Sequence, residues 1–324
     1  MTEQAIYNFG MPNTMILTFT PNPCVDKTVF IDRLKVGERI RSERCTCIPG
    51  GKGTNVSRAV KIFGHETAAM NIVGGHTGRH VVEMIEEQDG IRTVPCWVAD
   101  QTRTITTVLE ECTGTQTAFF EPGPQVTEAE HKSILNTFRD SLEDVSVVVL
   151  SGTVPCPSLE ELYGELIPIA HAAGCKVILD SHSAEFAAGL TAKPDMIKPN
   201  HDEAAKHLGY PVDTLEAQHR AIADFHNTGI PLVVLSLGKD GCLVSDGNDI
   251  LRATPPIIDE VNPVGSGDAL VAPFAIGLQE GWDLERMARY GCAAGTANAM
   301  SWDIAHFTMD EVEEVARRME ITNG

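Results

Sequence analysis

The strongest constraint on the fold is a repeated alternation of short apolar runs with longer stretches of helical periodicity. Four of the apolar runs have the length and composition of β-strands: Met15–Thr20, Ala68–Val73, Val145–Leu150 and Lys176–Asp180. Val145–Leu150 is a continuous, valine-rich run, as expected of a strand covered on both faces. This repeated β-α-β order predicts an α/β fold with a mostly parallel sheet between two layers of helices.

The same periodicity places further elements along the chain. It predicts helices over 53–64, 80–88, 159–173 and 268–279, and strands at Met196–Lys198 and Val233–Leu237. Residues 1–14 are polar and turn-rich, and we expect them to be a loose leader. No Ser/Gly linker divides the remainder, so 15–324 is predicted to be one domain.

Two segments break the alternation. Residues 28–48 and 93–120 contain short runs rich in Thr, Val and Ile with mostly alternating polarity. This pattern predicts antiparallel strands that form a small sheet outside the main one, which could act as a lid. The alternative is that these strands lie at the edge of the main sheet.

Charge and cysteine content restrict the partners. The chain has 25 basic and 45 acidic residues, a net charge of −20, which disfavours nucleic acid and anionic membrane surfaces. An anionic substrate would therefore need a local cluster of positive groups. The nine cysteines show no paired CxxC spacing, which favours reduced thiols in a cytoplasmic protein.

The segment Asn262–Leu270 has the features of an anion site. Gly265, Ser266 and Gly267 are small, so their N–H groups can point into one concavity at the start of an apolar helix. Asp268 follows directly. It can be a helix cap, or a general base that takes a proton from a hydroxyl attacking a phosphate.

A second glycine-rich helix start lies at Gly50–Val56. It is not a Walker A loop, because Gly53 follows Lys52, and it lacks the last glycine of G-x-G-x-x-G. Its glycines allow a ligand to approach the backbone, and Asn55 can hydrogen-bond hydroxyl groups. By itself such a segment is weak evidence of function.

Together, G-G-K-G-x-N and V-G-x-G-D resemble the paired signatures of the ribokinase-like, or phosphofructokinase B (PfkB), family of sugar kinases. The resemblance runs from Met15 to about Met319 and is strongest to the 1-phosphofructokinase and tagatose-6-phosphate kinase subgroup. It implies a ribokinase-like three-layer α/β/α fold with a small β-sheet lid. Further segments similar to family motifs follow in the expected order: Thr20–Asp26, Thr102–Arg103, Ser151–Pro155, Lys198–Glu203 and Ser236–Gly241.

The resemblance implies roles for the anion site and for the sugar site. Asp268 would be the catalytic base, and Gly265, Ser266 and Gly267 would bind the charge on the transferred phosphoryl group. The residues implied for holding the sugar are Asp26 and Asn55, with Gly51 and Lys52 lining that side.

Arg103 would bind the substrate phosphate, since a guanidinium fork fits a phosphate. Arg39, on the expected lid, would assist, or it is an ordinary exposed charge.

The resemblance also implies a site for ATP and Mg²⁺. Asn200 and Glu203 would hold the ion largely through water, which suits magnesium bound to a nucleotide. The same pair can form a capping box at a helix start, and both readings can hold at once. Ser236, Gly238 and Gly241 would contact the nucleotide. In this family the lids of two subunits often clasp each other, so a homodimer is expected.

The resemblance implies an ATP-dependent kinase of a ketohexose monophosphate, and we expect fructose 1-phosphate, converted to fructose 1,6-bisphosphate, as the first candidate. Ala118 lies where some 6-phosphofructokinases of the family carry a second phosphate-binding arginine. The alternatives are a tagatose-6-phosphate kinase or 6-phosphofructokinase, then a kinase of a free sugar or nucleoside, then a non-catalytic sugar-binding homologue.

Overall fold

The structure, a computed structural model, describes residues 15–324, and the leader predicted over residues 1–14 lies outside the described residues. The strands are, in chain order, β1 (Met15–Thr20), β2 (Cys24–Ile31), β3 (Arg44–Gly50), β4 (Thr67–Gly74), β5 (Arg92–Val98), β6 (Arg103–Glu110), β7 (Thr115–Phe120), β8 (Val145–Ser151), β9 (Lys176–Asp180), β10 (Met196–Ile197), β11 (Leu232–Ser236), β12 (Cys242–Ser245), β13 (Ile250–Thr254) and β14 (Glu320–Asn323).

The large sheet has ten strands in the order β14-β13-β12-β11-β10-β9-β8-β1-β4-β5. The seven strands from β11 to β5 pair in parallel, and β12, β13 and β14 add an antiparallel edge. The valine-rich strand β8 lies between β1 and β9 and is buried along almost its whole length. The predicted mostly parallel sheet is confirmed.

Helices cover both faces of this sheet. One apolar core joins the sheet to α3–α7, and a second joins its other face to α1, α8, α9 and α10. The bounds are α1 (Lys52–Ile62), α2 (Gly75–Glu87), α3 (Glu128–Asp140), α4 (Leu162–Ala172), α5 (Ser183–Thr191), α6 (His201–Leu208), α7 (Leu215–Asn227), α8 (Ser266–Glu280), α9 (Leu284–Ala299) and α10 (Met309–Arg318). No helix among these described residues is long and apolar enough to cross a membrane.

The small sheet consists of β3-β2-β6-β7 and corrects the predicted lid in two respects. The stretch 93–98 belongs to β5, which pairs in parallel with β4 at the edge of the large sheet. In β5, Val94, Cys96 and Val98 pack into the core while Trp97 is 47% exposed. The polarity of β5 therefore alternates as in a separate strand, and sequence could not distinguish the two. In addition, β2 pairs with β6 in parallel, and residues 32–43 form an exposed loop and not a strand.

The strand order creates a crevice at the carboxyl ends of the central strands of the large sheet. After β1 the chain builds β4 and β5 on one side and then returns to place β8 on the other. Ligands of open α/β sheets bind outside the carboxyl ends of the strands at such a switch point. Thr20, Ser151, Asp180 and Ser236 end four of the parallel strands there.

Close packing of α8 on α9 generates a stability prediction. A side chain at Gly291 in α9 would overlap the buried ring of Phe274 in α8. Gly291→Ala is therefore expected to lower the free energy of unfolding by about 1–3 kcal/mol, measured by urea denaturation. Phe274→Leu should relieve the overlap, so the double variant should lose less stability than the sum of the two single variants. Additive losses would contradict this contact.

Candidate active site

The carboxyl ends of the parallel strands and the small sheet enclose one cavity of about 1260 Å³. It brings together residues from both glycine-rich segments and from the motifs between them. All but one of the predicted site residues line it: Asp26, Gly51, Lys52, Asn55, Arg103, Asn200, Glu203, Ser236, Gly238, Gly241, Gly265, Ser266, Gly267 and Asp268.

Arg39 is the exception. It lies in the exposed loop between β2 and β3 and does not line the cavity. In this single chain Arg39 is an ordinary exposed charge, the second of the two alternatives given above.

The predicted anion site lies at the first turn of α8. Gly265 has a left-handed backbone with φ of 82°, and a side chain there would overlap Ile304, so glycine is required. Within the described part of the chain, the N–H groups of Gly265 and Gly267 have no hydrogen-bond acceptor. They lie at the positive end of the helix dipole and line the cavity, an arrangement suited to an anion.

Asp268 does not cap this helix. Gly265 occupies the N-cap, and no side chain completes the cap. Instead, the Asp268 carboxylate is 6% exposed and accepts a hydrogen bond from Asn55 Nδ2 at 2.8 Å. The geometry therefore supports the general-base alternative over the helix cap.

The environment of Asp268 is tuned by burial and by charge. Burial raises the pKa of Asp268 to about 6; the Lys52 ammonium opposes this shift, and the Asp180 carboxylate adds to it. A carboxyl with a pKa near 6 is mainly ionised at neutral pH and still basic enough to take a proton. These are the properties that a general base requires.

Sequence reasoning missed a buried charge cluster beside Asp268. Asp180 is fully buried at the end of β9, where it contacts Lys198 Nζ at 3.1 Å and Lys52 Nζ at 3.4 Å. Burial alone would raise the pKa of Asp180, but the two ammonium groups outweigh burial and lower it. Lys198 Nζ lies 3.4 Å from where a Cβ on Gly267 would stand, so it adds positive charge at the anion site.

A sequence signal for these two residues does exist. Asp180 ends an apolar strand, and Lys198 directly follows another. Polar residues at the carboxyl ends of parallel strands face the crevice of such a sheet, and this rule could have identified both.

The glycines of the second segment serve packing more than ligand approach. A Cβ on Gly53 would lie 2.5 Å from Thr20 Oγ1, and one on Gly51 would lie 2.6 Å from Thr20 Cγ2. Because these two glycines have no Cβ atom, α1 can begin directly against the end of β1. This contact corrects the expectation that all three glycines clear space for a ligand, since Gly53 does not line the cavity.

Asn200 and Glu203 form the predicted capping box of α6. Asn200 Oδ1 accepts from the Glu203 N–H at 2.8 Å, and Glu203 Oε2 accepts from the Asn200 N–H at 2.9 Å. Both residues also line the cavity, and Glu203 Oε1 lies outside the box, 3.7 Å from His182 Nδ1. Within residues 15–324 no three His, Cys, Asp or Glu side chains form a metal cage. This sparse oxygen donor set fits magnesium whose other ligands are phosphates and water.

Arg103 carries a positive charge with no acidic partner among residues 15–324. It is half-buried on β6, and its NH2 donates to the Asn22 carbonyl at 3.1 Å. Its Nε is buried without a hydrogen-bond partner, and no carboxylate of the described residues forms an ion pair with it. Burial accordingly lowers the pKa of Arg103. An anion in the cavity would compensate this desolvated charge.

Solved structures with the same architecture include phosphofructokinase-2 from Escherichia coli in complex with potassium, 28% identical with a TM-score of 0.88, covering 94% of this chain and 99% of that chain. A structure of that enzyme with fructose-6-phosphate is 26% identical with a TM-score of 0.85, at the same coverage.

Two more distant structures share the fold. A possible 1-phosphofructokinase from Thermotoga maritima is 24% identical with a TM-score of 0.84, covering 96% of this chain and 99% of that chain. Ribokinase from Arabidopsis thaliana, complexed with ribose and ATP, is 21% identical with a TM-score of 0.76, covering 95% and 99%. These matches confirm the ribokinase-like α/β fold.

The family comparison covers most of the chain. The family model for pfkB family carbohydrate kinases matches residues 20–301, a span that holds both glycine-rich segments and the whole cavity apart from Ile304. The chain belongs to the pfkB family of carbohydrate kinases, the ATP-dependent sugar kinases.

Proposed function

We propose that this kinase transfers the γ-phosphoryl group of ATP to a ketohexose monophosphate, with fructose 1-phosphate as the first candidate and fructose 1,6-bisphosphate as its product. The observation that carries this proposal is Arg103, a half-buried cation open to the cavity in a chain of net charge −20. A neutral sugar would leave this desolvated charge uncompensated.

The proposed reaction uses the groups around the first turn of α8. Asp268 takes the proton of the acceptor hydroxyl while the oxygen of that hydroxyl attacks the γ-phosphorus of ATP. The bond between the γ-phosphorus and the oxygen that bridges it to the β-phosphorus breaks, and ADP leaves with that oxygen. The free N–H groups of Gly265 and Gly267, with Lys198, stabilise the charge on the transferred group. Asp26 and Asn55 hold sugar hydroxyls, and both line the cavity.

The nucleotide side of the cavity follows the same proposal. Ser236, Gly238 and Gly241 would contact ATP, and adenine would lie between loops. Asn200 and Glu203 would hold the Mg²⁺ of the nucleotide, which neutralises phosphate charge when bound.

The order of acceptors rests on the face of the small sheet that lines the cavity. Ala118 on β7 pairs with Thr107 on β6, and both line the cavity without adding a positive charge. A second arginine at Ala118 would favour fructose 6-phosphate, the sugar phosphate found with the E. coli enzyme. We therefore rank tagatose 6-phosphate second and fructose 6-phosphate third.

We further propose a homodimer through the small sheet. Phe120 on β7 lines the cavity and is 68% exposed, a large apolar area for a solvent-facing strand. The small sheet of a second copy, placed over this face, would bury it.

Removing the proposed phosphate ligand tests its role. Arg103→Ala is expected to raise the KM for the sugar phosphate by about one to two decades, because a charged hydrogen bond worth about 1.5–3 kcal/mol is lost. The KM for ATP should stay within about a factor of two. Arg79→Ala, at an exposed arginine of α2, is the matched control. An unchanged KM for the sugar phosphate would remove Arg103 from the site.

The acceptor itself is tested by a coupled assay of ADP formation. The expected order of kcat/KM is fructose 1-phosphate, tagatose 6-phosphate, fructose 6-phosphate, with free fructose and ribose below all three. A higher kcat/KM for a free sugar would replace the sugar-phosphate proposal with a ribokinase-type activity. Absence of ADP formation with every acceptor would favour a non-catalytic homologue.

A further inference from the structure

We propose that Arg58 is a positioning residue of the transfer reaction: it fixes the orientation of the Asn55 amide and, through that amide, aims the carboxylate of Asp268. This inference rests on the proposed function, in which Asp268 is the base. Arg58 itself does not line the cavity, because it lies behind Asn55 on α1.

A continuous set of hydrogen bonds leads from the turn after α2 to Asp268. Arg58 Nε donates to Asp89 Oδ2 at 2.8 Å, and its NH1 donates to Asn55 Oδ1 at 2.9 Å. Asn55 Nδ2 donates in turn to Asp268 Oδ2 at 2.8 Å. The remaining nitrogen, NH2, donates to the carbonyl of Pro49 near the end of β3. Arg58, Asn55 and Asp268 are each less than a tenth exposed.

The chemistry of these groups allows one orientation of the Asn55 amide. A guanidinium only donates hydrogen bonds, and an ionised carboxylate only accepts them. The amide must therefore turn its oxygen to Arg58 and its NH2 group to Asp268. The reversed amide would place a carbonyl against the carboxylate and an NH2 group against the guanidinium, so both contacts would be repulsive.

This orientation determines how the base faces the cavity. With Oδ2 held by Asn55, Asp268 Oδ1 has no hydrogen-bond partner among the described residues, and the side chain lines the cavity. Asp268 Oδ1 is therefore available to accept a hydrogen bond, and then the proton, from the acceptor hydroxyl. Arg58 therefore acts on the reaction without contacting the substrate.

The contacts also require arginine at this position. Three nitrogens of one planar group reach Asp89, Asn55 and Pro49 in three directions. A lysine keeps the charge but offers a single ammonium, which cannot satisfy all three acceptors in this geometry. Arg58→Lys therefore separates loss of orientation from loss of charge.

The test compares Arg58→Lys in two backgrounds, with whichever sugar the wild-type enzyme uses best. In the otherwise wild-type enzyme we expect kcat to fall about 10- to 100-fold, because the base is misplaced, while the KM for ATP stays within about twofold. In an Asn55→Ala background, the same substitution should change kcat by less than about twofold, because the link between Arg58 and Asp268 is already cut.

Lys61→Met is the matched control. Lys61 lies one turn further along α1 and donates to the carbonyls of Asp89 and Gly90, so it holds the same turn without touching Asn55. Its kcat is expected to stay near the wild-type value even if the melting temperature falls. A comparable loss of kcat in Lys61→Met would assign the effect of Arg58 to stability of the turn.

Two further results would overturn the inference. One is an Arg58→Lys enzyme that keeps more than about a third of the wild-type kcat, and the other is an equal loss in the Asn55→Ala background. If Arg58→Lys does not fold, Asp89→Asn replaces it: the amide oxygen still accepts from Nε, but the charge that holds the guanidinium is lost, so a smaller fall in kcat is expected, again absent without Asn55. If the proposed acceptor is wrong, the wild-type enzyme shows this in the assay of ADP formation. That failure is thereby distinguished from failure of the inference about Arg58, which is measured with the best sugar of the wild-type enzyme.

Discussion

The site depends on keeping four charged side chains in one nearly dry space. Asp180, Asp268, Lys52 and Lys198 meet at the carboxyl ends of the strands, and only Lys52 is substantially exposed to solvent. Burying an isolated charge is costly, so each of these groups needs an opposite charge or a hydrogen bond. Asp180 contacts both ammonium groups. Asp268 has one hydrogen-bond donor among the described residues, Asn55, and burial raises its pKa while the two lysines oppose the rise.

The architecture supplies this arrangement by converging elements from distant parts of the chain. Asp180 and Lys198 come from adjacent strand ends, Lys52 and Asn55 from the first turn of α1, and Asp268 from the first turn of α8. Such closeness requires small residues where helices start: Gly53 packs on β1, and Gly265 takes a left-handed backbone beside Ile304. The packing of helix starts against strand ends therefore determines the geometry of the chemistry.

Much of the fold and of the candidate site could be predicted from the sequence. The features that could not be predicted have physical causes. The parallel strands were predictable because a continuous apolar run such as that of β8 indicates a strand buried on both faces. The glycine-rich helix starts were predictable because only glycine readily adopts the backbone conformations that such turns require. The stretch 93–98 was misplaced because an edge strand and a separate strand share one polarity pattern. Asp180 and Lys198 could have been identified from their place at strand ends. Arg58 could not, because its contacts lead to Asp89, 31 positions away, and through Asn55 to Asp268, 213 positions from Asn55, which spacing along one segment does not encode.

If Asp268 is the buried base proposed above, its carboxyl must titrate well above the usual range of an aspartate, and following that titration tests the proposal. Carbon-13 NMR of aspartate-labelled protein follows each carboxyl with pH, and Asp268→Asn identifies the relevant signal by its disappearance. We expect a pKa of about 6 for Asp268, raised by burial. A pKa near the ordinary value of 3.8 would mean that the carboxylate is solvated and would rule out a buried base at Asp268.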